Sequence, residues 1–180
     1  MNVMKIYNLI IYILVIILII VFCCFASEAG VERIDNKIKI ELVSCIDGDT
    51  AKFVIDGKEE KVRFLGIDTP ESTNYVETYG KEASEHTCSL LEDANNIYLE
   101  YDSNSDKRDK YDRVLAWIFV DNNNLSELLL LSGYAEVKYI YGDYKYIDEL
   151  CNAQGYAYKN NLGIWSIDYN YKKNYCNKNK

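Results

Sequence analysis

The chain has 180 residues and a formal net charge of −8. That length allows one domain with a sizeable core, and the acidic balance excludes a globally basic surface of the kind that phosphate neutralisation favours. A single histidine, His86, excludes a His-based metal triad and a Ser-His-Asp machine.

Leu9 to Ala26 is an uncharged, mostly apolar run preceded by one charge, Lys5. It just meets the length of a bilayer span and exceeds the usual apolar core of a secretory signal, although Ala26, Ser27 and Ala29 offer a small-residue cleavage site. Anchor and cleaved signal both stay open. Either places the remainder outside the cytoplasm, because Lys5 favours an inside N-terminus. Residues 27–36 read as a polar linker, residues 37–167 as the folded domain and residues 168–180 as a polar tail, with disorder expected beyond Trp165.

Lys37 to Cys45 alternates apolar Ile38, Ile40 and Leu42 on one face, as a half-buried strand does. Thr50 to Ile55 and Lys61 to Gly66 read as two more strands joined by the hairpin signal Asp56-Gly57. The only proline, Pro70, holds Thr69 extended and makes Asp68 to Glu71 a rigid loop leaving a strand. Tyr79 to Ala94 has a helical pattern, Asn96 to Asp102 and Val114 to Val120 read as strands, and Leu125 to Leu131 is a short apolar helix stopped by Gly133. Tyr144 to Asn161 is a third helix, weakened by Gly155. The order predicts an α+β, mainly β, chain: a small, partly open five-stranded barrel of the oligonucleotide-binding (OB) type with three helices.

Cys23 and Cys24 fall in the apolar run. Cys45, Cys88, Cys151 and Cys176 lack CxxC spacing, which disfavours zinc; in an exported domain they allow up to two disulfides in three pairings, with buried free thiols as the alternative. Asp102-Ser-Asn-Ser-Asp106 imitates the start of an EF-hand but puts Lys107 where the loop needs glycine, and reads as a solvated loop.

The chemistry concentrates around Asp47-Gly48-Asp49-Thr50 and Arg63 to Glu71. Taken alone, Asp47-Gly48-Asp49 is a turn signal. Together, Asp49 at the start of one strand and Asp68 at the end of the next converge on one sheet end, where two carboxylates repel unless a cation lies between them. Oxygen-only ligands favour Ca²⁺ or Mg²⁺. Glu71, just past Pro70, is placed to receive a proton from water. Arg63 and Arg113 are forked donors matching phosphate, and local positive charge comes from them with Lys107, Arg108 and Lys110. The alternation of Tyr139 and Tyr141 puts both on one strand face where bases could stack. His86 reads as an ordinary helix histidine.

With Ile46 to Thr50, Arg63 to Glu71, Tyr79 to Ser84, Asp109-Lys110-Tyr111-Asp112-Arg113 and Gly163-Ile164-Trp165-Ser166 in that order, residues 37–166 resemble the staphylococcal nuclease (thermonuclease) family. The resemblance implies an OB barrel that hydrolyses DNA and RNA with Ca²⁺, acting as a monomer. It implies metal binding by Asp49, Asp68 and the Thr69 carbonyl, general-base action by Glu71, and phosphate binding by Arg63 and Arg113. Lys110, Tyr111, Tyr139 and Tyr141 would contact the nucleotide. Three departures from the best-known member stand out: a shorter Glu71–Tyr79 loop without its lysines, Asp112 in place of a glycine, and the acidic charge. The rival reading is a non-catalytic nucleic-acid-binding OB module, which has no reason to keep all five of Asp49, Asp68, Glu71, Arg63 and Arg113.

Overall fold

The computed structural model describes residues 11–17, 33–34, 36–73, 75–167 and 176. The chain divides into two units, Met1–Glu32 and Arg33–Lys180. In the first, residues 11–17 are helical and exposed. No helix among the described residues is long and apolar enough to cross a membrane; the rest of the 9–26 run, where the sequence reading placed an anchor or signal, lies outside them.

The second unit runs β1 (Arg33–Ile34), β2 (Lys37–Asp47), β3 (Thr50–Ile55), β4 (Lys58–Phe64), β5 (Ile67–Asp68), α1 (Gly80–Glu92), β6 (Ile97–Glu100), β7 (Val114–Val120), β8 (Asn123–Asn124), α2 (Leu125–Leu131), β9 (Glu136–Val137) and α3 (Ile147–Lys159), then a 3₁₀ turn, Gly163–Ser166. Strands β2, β3, β4, β7 and β6 pair in that order, and β6 pairs back onto β2. The ring is therefore closed rather than partly open, with β4 and β7 parallel and the other pairs antiparallel.

One long strand makes closure work. Ile38 to Ile40 of β2 pair with β6, whereas Glu41 to Asp47 pair with β3, with register shifts between Leu42 and Ser44 and between Cys45 and Asp47. Such bulges bend a strand enough to serve two neighbours. The β3–β4 hairpin turns at Asp56 (φ 49°) and Gly57 (φ 76°), the left-handed pair that a two-residue hairpin demands.

Phe53, Val62, Phe64, Leu99 and Ile118 fill the core. Ala116 through Val120 are all buried, since β7 is covered on both faces. Trp117 lies edge-on to Tyr144 and Tyr146 and donates its indole N–H to Asp102 Oδ2 at 2.9 Å. Asp102 also accepts from Lys145 N at 2.8 Å, so the start of the EF-hand-like stretch is a buried brace, not a solvated loop. Helix α2 is capped by Asn124, which accepts from Ser126 N, and Ser126 Oγ donates to Leu65 O at 3.0 Å. Helix α3 continues through Gly155, which has open space around it.

Two disulfides close the fold, Cys45–Cys88 from β2 to α1 and Cys151–Cys176 from α3 to the tail. Cys176 is buried against the main core, so at that residue the tail is tied down. The other residues beyond 167, where disorder was expected, lie outside those described.

Candidate active site

The strands β2 and β3 meet at a turn held from three sides. Asp47 Oδ1 accepts from Gly48 N at 2.8 Å and from Ser72 Oγ at 2.7 Å. Thr87 Oγ1 of α1 donates to Gly48 O at 2.6 Å. A Cβ on Gly48 would stand 2.5 Å from Thr69 Oγ1, so glycine is what lets this turn pack against the Asp68–Pro70 segment. The Cys45–Cys88 bridge lies beside this contact.

The turn delivers Asp49 to Arg63, which sits on β4 opposite Thr50. Arg63 Nη1 is 2.7 Å from Asp49 Oδ2 and donates to Ile67 O at 3.0 Å, and Nη2 is 2.9 Å from Asp68 Oδ1. The cation that the convergence of two aspartates required is therefore, in this arrangement, Arg63. Asp49 and Arg63 are both buried. Burial, above all, pushes the Asp49 carboxyl up, against the pull of Arg63 and a hydrogen bond from Thr50, and the negative charge of Asp68 adds to the rise. Thr69 N donates to Asp49 Oδ2 at 3.3 Å, while the buried Thr69 Oγ1 has no hydrogen-bond partner among the described residues.

Asp68 does not end β4 as the sequence predicted. The chain turns at Leu65–Gly66, with Gly66 at φ 78° against Trp117 and Leu150, and resumes as the short strand β5. That strand pairs with β9, setting Asp68 opposite Glu136. Lys138 Nζ reaches both, 2.8 Å from Asp68 Oδ2 and 3.0 Å from Glu136 Oε1. Burial works to lower the Lys138 pKa, but its hydrogen bonds to the two carboxylates outweigh it and hold it above the ordinary lysine value. Sequence reasoning missed Lys138 and Glu136 because a two-residue strand leaves no periodic signal.

Glu71 lies on the exposed side of the cluster. Its carboxyl is held above the usual glutamate range by burial first, then by a hydrogen bond to Asp47 and the negative charges of Asp47, Asp49 and Asp68. Its backbone is pinned, N to Glu77 Oε2 at 3.1 Å and O from Glu77 N at 2.9 Å. A Cβ on Gly80 would collide with Glu71 O at 2.0 Å, so the glycine that opens α1 also sets where Glu71 stands. A carboxyl with a raised pKa is a stronger base once ionised.

Arg113 belongs to a separate cluster. Its Nε donates to Asp109 Oδ2 at 2.7 Å, its guanidinium lies 5.5 Å from the Tyr111 ring, and Lys110 Nζ lies 4.9 Å from that ring. It enters β7 just before Val114, which pairs with Val62 beside Arg63. Asp112 has φ 61°, the left-handed conformation suited to glycine and tolerated by Asp; the substitution keeps the turn. Arg108 pairs with Glu60 at 2.7 Å and donates to Asp112 O of the same turn at 2.8 Å.

Tyr139 and Tyr141 are not on a strand face. β9 stops at Val137, and Tyr139 has φ 58°, so both rings sit on an irregular segment. The Tyr139 ring nevertheless lies 5.5 Å from the Arg63 guanidinium, while Tyr141 and Tyr111 are strongly exposed, at 83% and 68%. His86 Nε2 lies 2.9 Å from Ser132 Oγ.

The sequence also matches known proteins. Residues 61–167 match the model of the family described as staphylococcal nuclease homologue. The chain is 39% identical to the protein named Endonuclease YncB of Bacillus subtilis over 147 residues, 78% of this chain and 69% of that protein. It is 38% identical to the SPbeta prophage-derived endonuclease YokF of the same organism, over 72% of this chain and 44% of that longer protein. To the Thermonuclease of Staphylococcus hyicus it is 36% identical, over 73% of this chain and 78% of the relative. A family model that matches residues 61–167 and relatives 36% to 39% identical over 72% to 78% of this chain lead to one conclusion: the chain belongs to the staphylococcal nuclease homologue family.

Proposed function

We propose that this chain is a Ca²⁺-dependent endonuclease that hydrolyses phosphodiester bonds of DNA and RNA outside the cytoplasm. The observation that carries the reading is the meeting of Asp49 and Asp68 on the Arg63 guanidinium, with Thr69 N against Asp49 and the Glu71 carboxyl within reach of both aspartate charges. Relatives named endonuclease and thermonuclease support the reaction class.

The donor set fits a hard cation. Asp49, Asp68 and Thr69 offer only oxygens, and the unpartnered Thr69 Oγ1 marks polar capacity left over at this spot. Asp49, Asp68 and the Thr69 carbonyl would hold Ca²⁺, which when bound polarises the scissile phosphate and its attacking water. The rest falls to side chains. Glu71 takes the proton of the attacking water. Arg63 and Arg113 donate to the phosphate oxygens as negative charge builds on them. As the water oxygen bonds to phosphorus, the P–O bond to the leaving sugar oxygen breaks, and that oxygen takes its proton from solvent. Tyr111 and Tyr139, each beside an arginine, offer ring faces to bases, with Lys110 and the exposed Tyr141 at the margin.

Two disulfides in the folded unit support an oxidising compartment, and the 9–26 apolar run supports export, either anchored or after cleavage. The test is digestion of supercoiled plasmid and of RNA by the purified chain, with Ca²⁺, Mg²⁺ or Zn²⁺ alone and with EGTA. Activity should need Ca²⁺ and vanish in chelator. Glu71→Gln should cut turnover by about 10²–10⁴ while Ca²⁺ still binds. Cleavage in EGTA, or normal turnover of Glu71→Gln, would refute the mechanism, and nucleic-acid binding without cleavage would favour a non-catalytic module.

A further inference from the structure

Asp68 and Glu136 face each other directly in the β5–β9 pair, and like charges directly opposite one another destabilise an antiparallel pair. Lys138 resolves the conflict by contacting both, at 2.8 Å and 3.0 Å. It is anchored at its root as well, since Lys138 N donates to Gly66 O at 3.1 Å. The ammonium is thus fixed at one end by backbone and at the other by two carboxylates, and it takes up one oxygen of Asp68 while Arg63 takes the other.

We infer that Lys138 and Glu136 form a built-in counter-ion pair that sets the affinity of the Asp49–Asp68 site for a divalent cation. The inference rests on the proposed metal role of Asp68. Lys138 opposes the cation, because its positive charge already satisfies Asp68 and must be approached or displaced. Glu136 works the other way: it draws part of Lys138's charge to itself and adds a negative charge of its own. Lys138 is therefore a positioning and tuning residue that acts through Asp68.

The two members make opposite demands. Lys138→Met keeps the stem and deletes the charge, leaving Arg63 as the counter-ion of Asp68 with no ammonium between Asp68 and Glu136, and a cation relieves the repulsion of that pair. Glu136→Gln keeps the shape and leaves Lys138 paired with Asp68 alone. A purely structural salt bridge bracing β9 would behave otherwise, since both substitutions break the same contact and both would loosen Asp68.

Ca²⁺ is titrated calorimetrically into the purified full chain without nucleic acid, and the Ca²⁺-induced rise in melting temperature is followed in parallel. Lys138→Met should bind Ca²⁺ more tightly than wild type and Glu136→Gln more weakly, each by on the order of tenfold for one charge beside a divalent ion near a solvated surface. If Lys138→Met fails to fold, Lys138→Gln tests the same charge while keeping a donor to Asp68. Both variants weakened, or neither moved beyond about twofold, overturns the inference while the metal site stands. A wild-type chain that binds no Ca²⁺ overturns the metal reading and this inference with it.

Discussion

Arg63 Nη1 lies 2.7 Å from Asp49 Oδ2 and Nη2 lies 2.9 Å from Asp68 Oδ1, so the side chain proposed to grip phosphate also neutralises both proposed metal ligands. Two jobs on one guanidinium change how its removal should read. A residue that only contacts substrate affects rate, whereas this one also braces two carboxylates and the Ile67 carbonyl.

Arg63→Lys should therefore cost both turnover and stability. Lysine keeps the charge but cannot supply the fork. The expected loss is about 10²–10³ in rate and about 1–3 kcal/mol in stability, from hydrogen bonds to charged partners left unmade. Arg113→Lys should cost a comparable factor in rate but under about 1 kcal/mol in stability, because its pair with Asp109 is partly solvated. Turnover and thermal melts of both variants separate the two roles. Equal melting temperatures would show that Arg63 is not a brace, and normal turnover in both would remove the phosphate clamp.

The site was legible where residue chemistry and local turns coincide. Asp49 and Arg63 come together because the hairpin that the sequence signals sets Thr50 opposite Arg63, whereas Asp68 is placed by the unannounced pairing of β5 with β9. What the sequence hid depends on distant pairing. Closure of the barrel needs β2 to bend and serve both β3 and β6, and no periodicity in Lys37 to Asp47 announces the bulges. Tyr139 and Tyr141 alternate like a strand, yet the left-handed φ at Tyr139 breaks it. Asp102 looked solvated because nothing local shows that Trp117 and Lys145 converge on it. Arg113 pairs with Asp109, four residues back, while its neighbour Asp112 lies 3.5 Å from Arg108, a choice that adjacency in the sequence does not reveal.

The Cys45–Cys88 bridge should couple redox state to the Asp47–Asp49 turn. It ties β2 to α1 one residue from Thr87, whose hydroxyl holds Gly48 O. Closing a separation of 43 residues contributes about 4 kcal/mol in the chain-entropy view, with engineered and natural cases falling mostly between about 2 and 5. Cys45→Ser with Cys88→Ser should lower the melting temperature and weaken Ca²⁺ binding together. A double variant that melts lower yet binds Ca²⁺ as wild type does would show the turn to be independent of the bridge.

His86 gives a pH signature separate from the carboxylate cluster. Its Nε2 lies 2.9 Å from Ser132 Oγ, and that hydroxyl donates to Leu128 O at 2.9 Å, an arrangement that a neutral ring carrying its proton on Nε2 satisfies. Burial holds the His86 pKa below the ordinary histidine value. The unfolded chain, with a pKa of about 6.5, then binds the proton more readily than the folded one. The stability His86 contributes is complete above that value and is lost as pH falls through the lower folded pKa. Because His86 is the only histidine, His86→Gln removes the effect cleanly. Melting temperatures of both chains from pH 7.5 down to pH 5 should show wild type losing ground to His86→Gln on acidification. A constant difference across that range would mean the folded ring titrates as freely as the unfolded one, and burial would not be acting on it.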